Sequence, residues 1–337
     1  NPLSEIIDYY LSHILKKRLS DIKEITYLFF DEIQIVPFWQ DTLKRYYDLN
    51  QNLKFIISGS SSLFIRESSK ESLAGRIFEQ ILPPLTFEEY KNFAKTPFFN
   101  EEVSFIDYLQ FGGFFEEIEL PNQERKKEFL REWVLGKVLE RDLPNLYRLA
   151  DSQILRIFFQ ILLGTTGQNV VLSKIANELE VSPTTITNYV AILEKTLLLA
   201  SLFNFSGSFV RRERRLRKIY PASPNFLAFL PVFPPNLGAL SETYVFNFLR
   251  QQYGREIFFF QERGLGVDFL IPQKRWALEV KFQEKIHAED YKNLRTVMKR
   301  KKYHQGFLLT KNYSDEKKFP EGKIISFPVY RLETVKI

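Results

Sequence analysis

The sequence predicts a multidomain α/β protein, and three patterns carry that prediction. Near the start, "YLFFDEIQ" (Tyr27 to Gln34) runs from an apolar stretch into two adjacent carboxylates, and "KFIISGSSSLF" (Lys54 to Phe64) is a second apolar stretch that stops at Ser58-Gly59-Ser60. With the helical "FWQDTLKRYYDL" between them they read as strand, helix, strand, the order of a parallel sheet whose ligands sit beyond the carboxyl ends of its strands. In the middle, "VVLSKIANELEVSPTTITNYVAILEKTLLL" reads as two amphipathic helices joined at Val181-Ser182. Ser182 is a good N-cap and Pro183 a good first helical residue, which gives helix-turn-helix spacing. At the end, a helix, three strands, a helix and a strand follow one another. A chain of 337 residues exceeds what one hydrophobic core usually supports, so two or three domains are expected.

Composition narrows the chemistry. The 45% hydrophobic fraction, rich in Phe and Tyr, is ample for buried cores. A net charge of +6 and a pI near 9.1 permit contact with nucleic acid and equally suit a mildly basic soluble protein. The absence of cysteine removes disulfides, zinc-thiolate sites and cysteine nucleophiles together, and His13, His287 and His304 are too scattered for a metal cluster. Zero Cys and a single Met suit a hot habitat, where thermolabile residues are avoided. No apolar run approaches the ~20 residues needed to span a bilayer, and no signal peptide is visible. A cytoplasmic protein with no membrane partner is expected.

Taken in order, residues 1–90 form the first α/β segment. It opens on the helical "PLSEIIDYYLSHILKK", continues through a buried strand at Ile25 to Phe30, and reaches "SLAGRIFEQILPPLTFEEY", where Arg76 stands on a Gly turn before a third apolar run. Residues 91–163 turn helical and mixed in charge, with a Gly-Gly break in "YLQFGGFFEE", and read as a helical lid or connector. Residues 164–230 hold the helix-turn-helix and the basic run "RRERRLRK" (Arg211 to Lys218), which with the following "IY" suits a β-hairpin wing. The Pro-rich "PASPNFLAFLPVFPPN" (Pro221 to Asn236) is the best linker candidate, and residues 231–337 are the self-contained α/β pattern beyond it.

The sharpest constellation lies in that last segment. Asp268 stands in "VDFLI", and Glu279 and Lys281 stand in "LEVKF". Residues two apart on a strand point to one face, so Glu279 and Lys281 project side by side, and a hairpin partner would bring Asp268 beside them. Two carboxylates and an ammonium on one sheet edge would bind one or two Mg²⁺ ions (or Mn²⁺) and leave a lysine to orient water or stabilise a pentacovalent phosphate. Glu242, in the helix "LSETYVFNFL", would close the metal site from above. An ordinary charged strand with Glu279 and Lys281 paired on a solvated face has the same spacing. The element order and these residues resemble the PD-(D/E)xK nuclease superfamily over roughly the last hundred residues. That resemblance implies Glu242, Asp268 and Glu279 as metal ligands and Lys281 as the catalytic lysine, with valine in place of proline before Asp268.

Tyr27 to Gln34 looks like a strand that ends where magnesium is held and water activated, yet no G-x-x-x-x-G-K-[ST] phosphate loop is present. Gly136-Lys137 and Gly322-Lys323 lack the upstream glycine and the following hydroxyl. The ordered set "DEIQ", "SGSSS", "LAGR", "FGGFFEE", "ERDLPNLY" and "KIY" resembles the archaeal and bacterial AAA-type ATPases that carry a C-terminal domain of unknown function, a winged helix and a PD-(D/E)xK-like module. The resemblance spans nearly the whole chain. It implies a truncated P-loop AAA-type parallel sheet, a helical lid, a winged helix-turn-helix and a nuclease-like α/β domain. It also implies Asp31 as the magnesium-coordinating residue and Glu32 as the base. Ser60 would be a γ-phosphate sensor with Ser58 as rival, and Arg76 a finger or sensor whose alternative is a surface arginine. Family members carry the phosphate loop upstream of "DEIQ", so this chain is expected to lack the N-terminal part of its ATPase domain and to hydrolyse ATP poorly or not at all. A homo-oligomer is a further implication.

DNA is the expected partner, with a protein docked at the winged helix as the other reading. Thr184, Thr185, Thr187 and Asn188 lie near the start of the second helix, where hydroxyls and an amide can touch phosphates or base edges. Arg211, Arg212, Arg214 and Arg215 would add phosphate contacts, although charge runs are usually solvated. The expected function is an AAA-type ATPase acting on DNA by metal-dependent phosphodiester hydrolysis. Two rivals stand beside it: an inactive nuclease fold that binds DNA or protein, and a winged-helix regulator gated by nucleotide.

Overall fold

The computed structural model describes residues 1–59, 73, 75–94, 100–149, 151–205, 216–230 and 236–335. Ser60, Arg211, Arg212, Arg214 and Arg215 therefore lie outside the described residues. Two compact units form, one from Asn1–Leu82 with Lys195–Leu197, the other from Pro83–Glu194 and Leu198–Ile337.

In the first unit, helix α1 (Pro2–Tyr9) begins at Asn1, whose side chain accepts the Leu3 N–H, and buries Leu3 and Ile7 four residues apart. Strands β1 (Thr26–Phe30) and β2 (Leu53–Ile57) pair in parallel, with Phe30 opposite Ile57 at their carboxyl ends. Helix α2 (Trp39–Leu49) connects them and buries Trp39, Leu43 and Tyr46. Leu28, Phe30, Phe55 and Ile57 pack against this small core. The first strand was expected to be buried throughout, but Tyr27 is 54% and Phe29 70% exposed. Parallel strands are normally covered on both faces; among the described residues, helices cover one face of this pair.

The second unit is larger. Its helical segment includes α3 (Phe87–Phe93), α4 (Glu101–Phe111) and α5 (Ser152–Gly164). Phe105 meets Tyr244 edge-on at 5.0 Å, and Glu333 accepts the Phe87 N–H at 3.0 Å and the Glu88 N–H at 3.3 Å, which satisfies orphan donors at the start of α3. The segment read as a connector thus shares one core with the C-terminal residues.

Next come β3 (Asn169–Val170), α6 (Leu172–Glu178), α7 (Pro183–Lys195), β4 (Leu199–Phe203) and β5 (Arg217–Pro221). The strands form an antiparallel sheet in the order β3-β5-β4. Ser182 caps α7 by accepting the Thr185 N–H at 3.0 Å. Residues 221–230 of the Pro-rich segment expected to be a linker are instead core: Phe226, Leu227, Ala228 and Phe229 are buried, and Arg131 donates to the Ala228 and Leu230 carbonyls at 3.0 and 2.8 Å. Its prolines bracket an apolar 3₁₀ turn, Pro224–Phe229, whose burial outweighs the flexibility that proline-rich composition suggests.

The last segment places α8 (Leu237–Tyr253) before β6 (Phe258–Glu262), β7 (Leu265–Ile271) and β8 (Trp276–Lys281). Then follow α9 (Asp290–Lys301), β9 (Gln305–Thr310), β10 (Asp315–Phe319) and β11 (Gly322–Pro328). All six strands join one sheet, ordered β10-β11-β9-β8-β7-β6. Phe269, Leu278 and Leu309 join the core that contains α8, while Leu270, Ala277 and Leu308 pack with Leu294, Val297 and Met298 of α9. The end of β4 docks on β6, where Phe205 N–H donates to the Phe259 carbonyl at 2.7 Å and Asn204 is bonded to the Gln261 backbone in both directions. This edge contact fixes β5 against the large sheet.

Candidate functional site

At the carboxyl ends of β1 and β2, the structure brings Asp31, Glu32 and Ser58 together. The Ser58 hydroxyl donates to Asp31 Oδ1, which also accepts the Glu32 N–H at 3.1 Å, and the Ser58 N–H donates to the Phe30 carbonyl at 2.8 Å. Glu32 adopts a left-handed φ of 49°, an uncommon conformation for a residue with a side chain. All three residues are exposed. Arg76 is held elsewhere: its guanidinium forks onto the Asp48 carboxylate of α2 at 2.8 and 3.3 Å. That pairing matches the surface-arginine alternative.

The second cluster is buried and richer. Recorded pairing between β7 and β8 runs from Ile271 opposite Trp276 to Phe269 opposite Leu278. At the next step Asp268 and Glu279 take over the backbone donors: Glu279 Oε2 accepts the Asp268 N–H at 3.2 Å, and Asp268 Oδ2 accepts the Val280 N–H at 3.0 Å. Each carboxylate thereby satisfies an amide of the other strand, which explains why two acids are tolerated in the sheet. Lys281, two residues along β8, pairs with Glu279 at 3.0 Å as the strand period requires.

Sequence reasoning missed the other half of this cluster. Lys218 Nζ, from β5, lies 2.9 Å from Glu242 Oε1 and 3.2 Å from Asp268 Oδ1, and its side chain is 12% exposed. Tyr220, two residues further on β5, donates its hydroxyl to the same Glu242 oxygen at 2.6 Å. The turn at Gly167 seals the other side, because a Cβ there would lie 3.0 Å from Glu242 Oε2. The signal was present in "KIY", where the alternation argument used for Glu279 and Lys281 places Lys218 and Tyr220 on one strand face.

Burial sets the electrostatics. It pushes the Glu242 carboxyl up to about 7, reinforced by the Asp268 charge and opposed by Lys218 and Tyr220. Burial likewise pushes Glu279 up to about 8, again with Asp268 repulsion, against the pull of Lys281. For Lys218, burial disfavours the ammonium, but Asp268 and Glu242 more than offset it and raise its pKa. The same balance raises Lys281.

A magnesium ion held by Glu242, Asp268 and Glu279 does not fit this arrangement. Lys218 sits between two of the three acids, and the remaining oxygens of Asp268 and Glu279 face backbone amides or Lys281. Among the described residues, no group of three or more His, Cys, Asp or Glu side chains is placed to hold a metal ion. The structure thus brings Glu242, Asp268, Glu279 and Lys281 together as the sequence suggested, but closes them around an ammonium.

On α7, Thr184, Thr187 and Asn188 are exposed and Thr185 is half-buried. The Thr185 hydroxyl pairs with Ser182 Oγ at 2.8 Å and the Thr187 hydroxyl donates to the Pro183 carbonyl at 2.9 Å, so both serve the helix itself. No described helix is long and apolar enough to cross a membrane.

Residues 2–91 match the family described as AAA domain, residues 102–230 a domain of unknown function (DUF8612), and residues 237–330 another (DUF4143). An uncharacterized protein of Methanocaldococcus jannaschii is 30% identical over 77% of this chain and 62% of its own length. A second from the same organism is 28% identical over 57% of this chain and 45% of its own length. An uncharacterized protein of Haemophilus influenzae is 27% identical over 55% of this chain and 47% of its own length. The chain thus spans between about half and three-fifths of these relatives. No solved structure matches it significantly. Residues 2–91, which carry the two exposed carboxylates and the serine at the ends of parallel strands, are thus similar to an AAA domain.

Proposed function

We propose that this protein belongs with the AAA-type ATPases and that its C-terminal part, a winged helix docked on a PD-(D/E)xK-like fold, engages DNA without cutting it. The observation that carries the second clause is the Lys218 ammonium, 2.9 Å from Glu242 and 3.2 Å from Asp268. An ammonium has no open coordination position, so it cannot lower the pKa of a bound water as a divalent ion does. Lys281 is tied to Glu279 at 3.0 Å.

In the ATPase half, a carboxylate and a hydroxyl at strand ends are hard oxygen donors that suit Mg²⁺. Asp31 and Ser58 would hold that ion, which supplies charge neutralisation to ATP phosphates when bound. Glu32, beside them, would accept a proton from the attacking water. The β3-β5-β4 order around α6 and α7 supports the winged-helix reading, with Thr184 and Asn188 exposed for phosphate contact.

Incubating the full chain with single- and double-stranded DNA and Mg²⁺ or Mn²⁺, beside Lys281→Ala, tests the proposal. The expected result is retention of DNA without cleavage in both proteins. Cleavage that disappears in Lys281→Ala would overturn it in favour of a metal-dependent nuclease. That second reading is favoured by the helix, three strands, helix, strand order that brings Asp268, Glu279 and Lys281 to one place. Absence of any DNA retention would overturn the DNA clause and leave protein docking.

A further inference from the structure

We propose that Lys218 is the resident cation of the carboxylate cluster: it stands in for a divalent metal, keeps such an ion out, and ties β5 to the large sheet. The inference rests on the reading above, that the wild-type cluster works without metal, and goes further by making one side chain responsible.

Charge is the first argument. Three carboxylates, Glu242, Asp268 and Glu279, face two ammoniums, Lys218 and Lys281, within a few ångströms. With every group ionised one negative charge remains, and adding a divalent cation beside Lys218 would leave the buried cluster positive. Without the Lys218 charge two negative charges remain, which is what a divalent ion neutralises. Like charges at close range in a partly dry site repel strongly, so lysine and metal compete for one place.

Geometry is the second argument. Lys218 does not wander into the cluster from solvent. It is held there by the pairing of β5 with β4, in which Lys218 lies opposite Leu202, and by the bonds that dock the end of β4 on β6. The Tyr220 hydroxyl fixes the shared Glu242 oxygen at 2.6 Å, and the Lys218 ammonium lies over the Phe259 ring at 5.6 Å. The ammonium is therefore preorganised by backbone registry and an aromatic face. Its removal should leave the carboxylates in place with their strongest counter-charge missing.

The test is titration of MnCl₂ into the full chain, followed by calorimetry and by the electron paramagnetic resonance signal of free Mn²⁺. Wild type should bind Mn²⁺ weakly, and Lys218→Met should bind it at least about tenfold tighter. The double variant Lys218→Met/Asp268→Asn should lose that gain. Equal affinity in wild type and Lys218→Met, or a gain that survives in the double variant, overturns the proposal. Should Lys218→Met fail to fold in metal-free buffer, refolding it with and without Mn²⁺ asks the same question, because an ion that binds only the native state stabilises it. Rescue by Mn²⁺ supports the proposal and lack of rescue overturns it. Cleavage of DNA by the wild type would instead defeat the non-cutting reading, so the two failures are distinguishable.

Discussion

The two carboxylate clusters in this chain contrast in how they are kept. Asp31 and Glu32 stand exposed at the ends of a two-stranded parallel pair, with Ser58 as the side-chain partner of Asp31. Asp268 and Glu279 are embedded in a six-stranded sheet with Glu242 of α8 buried beside them, and each meets an ammonium, a phenol or a backbone amide. Water can solvate the first pair, which leaves it open to a ligand. The protein itself must solvate the second, because an unpaired buried charge is costly. Openness to a ligand and internal satisfaction are thus opposite solutions to the same problem of placing several acids close together.

The largest expected effect comes from removing the counter-charge of the buried cluster. Lys218→Met should destabilise the second unit by about 3–5 kcal/mol in metal-free buffer, since it strands two acids. Urea unfolding of the second unit followed in a Trp39→Phe background, so that emission comes from Trp133 and Trp276, would show this, whereas a loss below about 1 kcal/mol would mean that the cluster is wetter than its contacts imply.

A second break concerns Glu117, the buried acid of "FGGFFEE". Its carboxyl accepts from Asn225 Nδ2 at 2.6 Å, and among the described residues both Glu117 Oε1 and Asn225 Oδ1 are buried without a hydrogen-bond partner. Burial pushes its pKa from 4.5 to about 8, against the lowering effects of Asn225, Lys126 and backbone amides. A proton on Glu117 supplies the donor that this pair of acceptors lacks. Because the folded pKa is raised, the contribution is full below about 4.5 and is lost as pH rises through about 8. Glu242 and Glu279, raised to about 7 and about 8, add to the same decline. Glu117→Gln should flatten part of it, with a gain on the order of 1–3 kcal/mol at pH 9 relative to wild type. Melting profiles from pH 5 to about 9 would check this, and an unchanged slope would count against the protonated acid.

Smaller effects sharpen the contrast. Tyr220→Phe should cost about 1–2 kcal/mol by removing one bond to Glu242. Ser58→Ala, at the exposed cluster, should cost less than about 1 kcal/mol, and Arg76→Ala should cost less than Tyr220→Phe, because an exposed ion pair is screened by solvent. Denaturant midpoints of the three variants, ranked against each other, would test the ordering. A cost for Arg76→Ala above that of Tyr220→Phe would contradict it.

Much of this architecture was legible in local pattern. Ser182 and Pro183 marked the start of α7, and alternation on β8 put Lys281 beside Glu279. Asp268 was paired correctly because a short hairpin leaves little choice of partner. What misled was composition: Phe226 to Phe229 of the Pro-rich segment read as a linker are buried, and the strand of "YLFFDE" has an exposed face. Proline frequency and hydrophobicity describe what a segment tolerates, while its neighbours decide what covers it.

The sequence by itself showed the helix, three strands, helix and strand from α8 to β9, though not β10 and β11, and it singled out Glu242, Asp268, Glu279 and Lys281 and the strand-end position of Asp31 and Ser58. These follow from periods of two and of 3.6 residues, which act over a few positions. Only the tertiary structure decided that Lys218, 24 residues before Glu242 and 50 before Asp268, fills the space between them. That contact depends on one sheet docking against the edge of another, and electrostatic pairing at such separations is written in no local spacing.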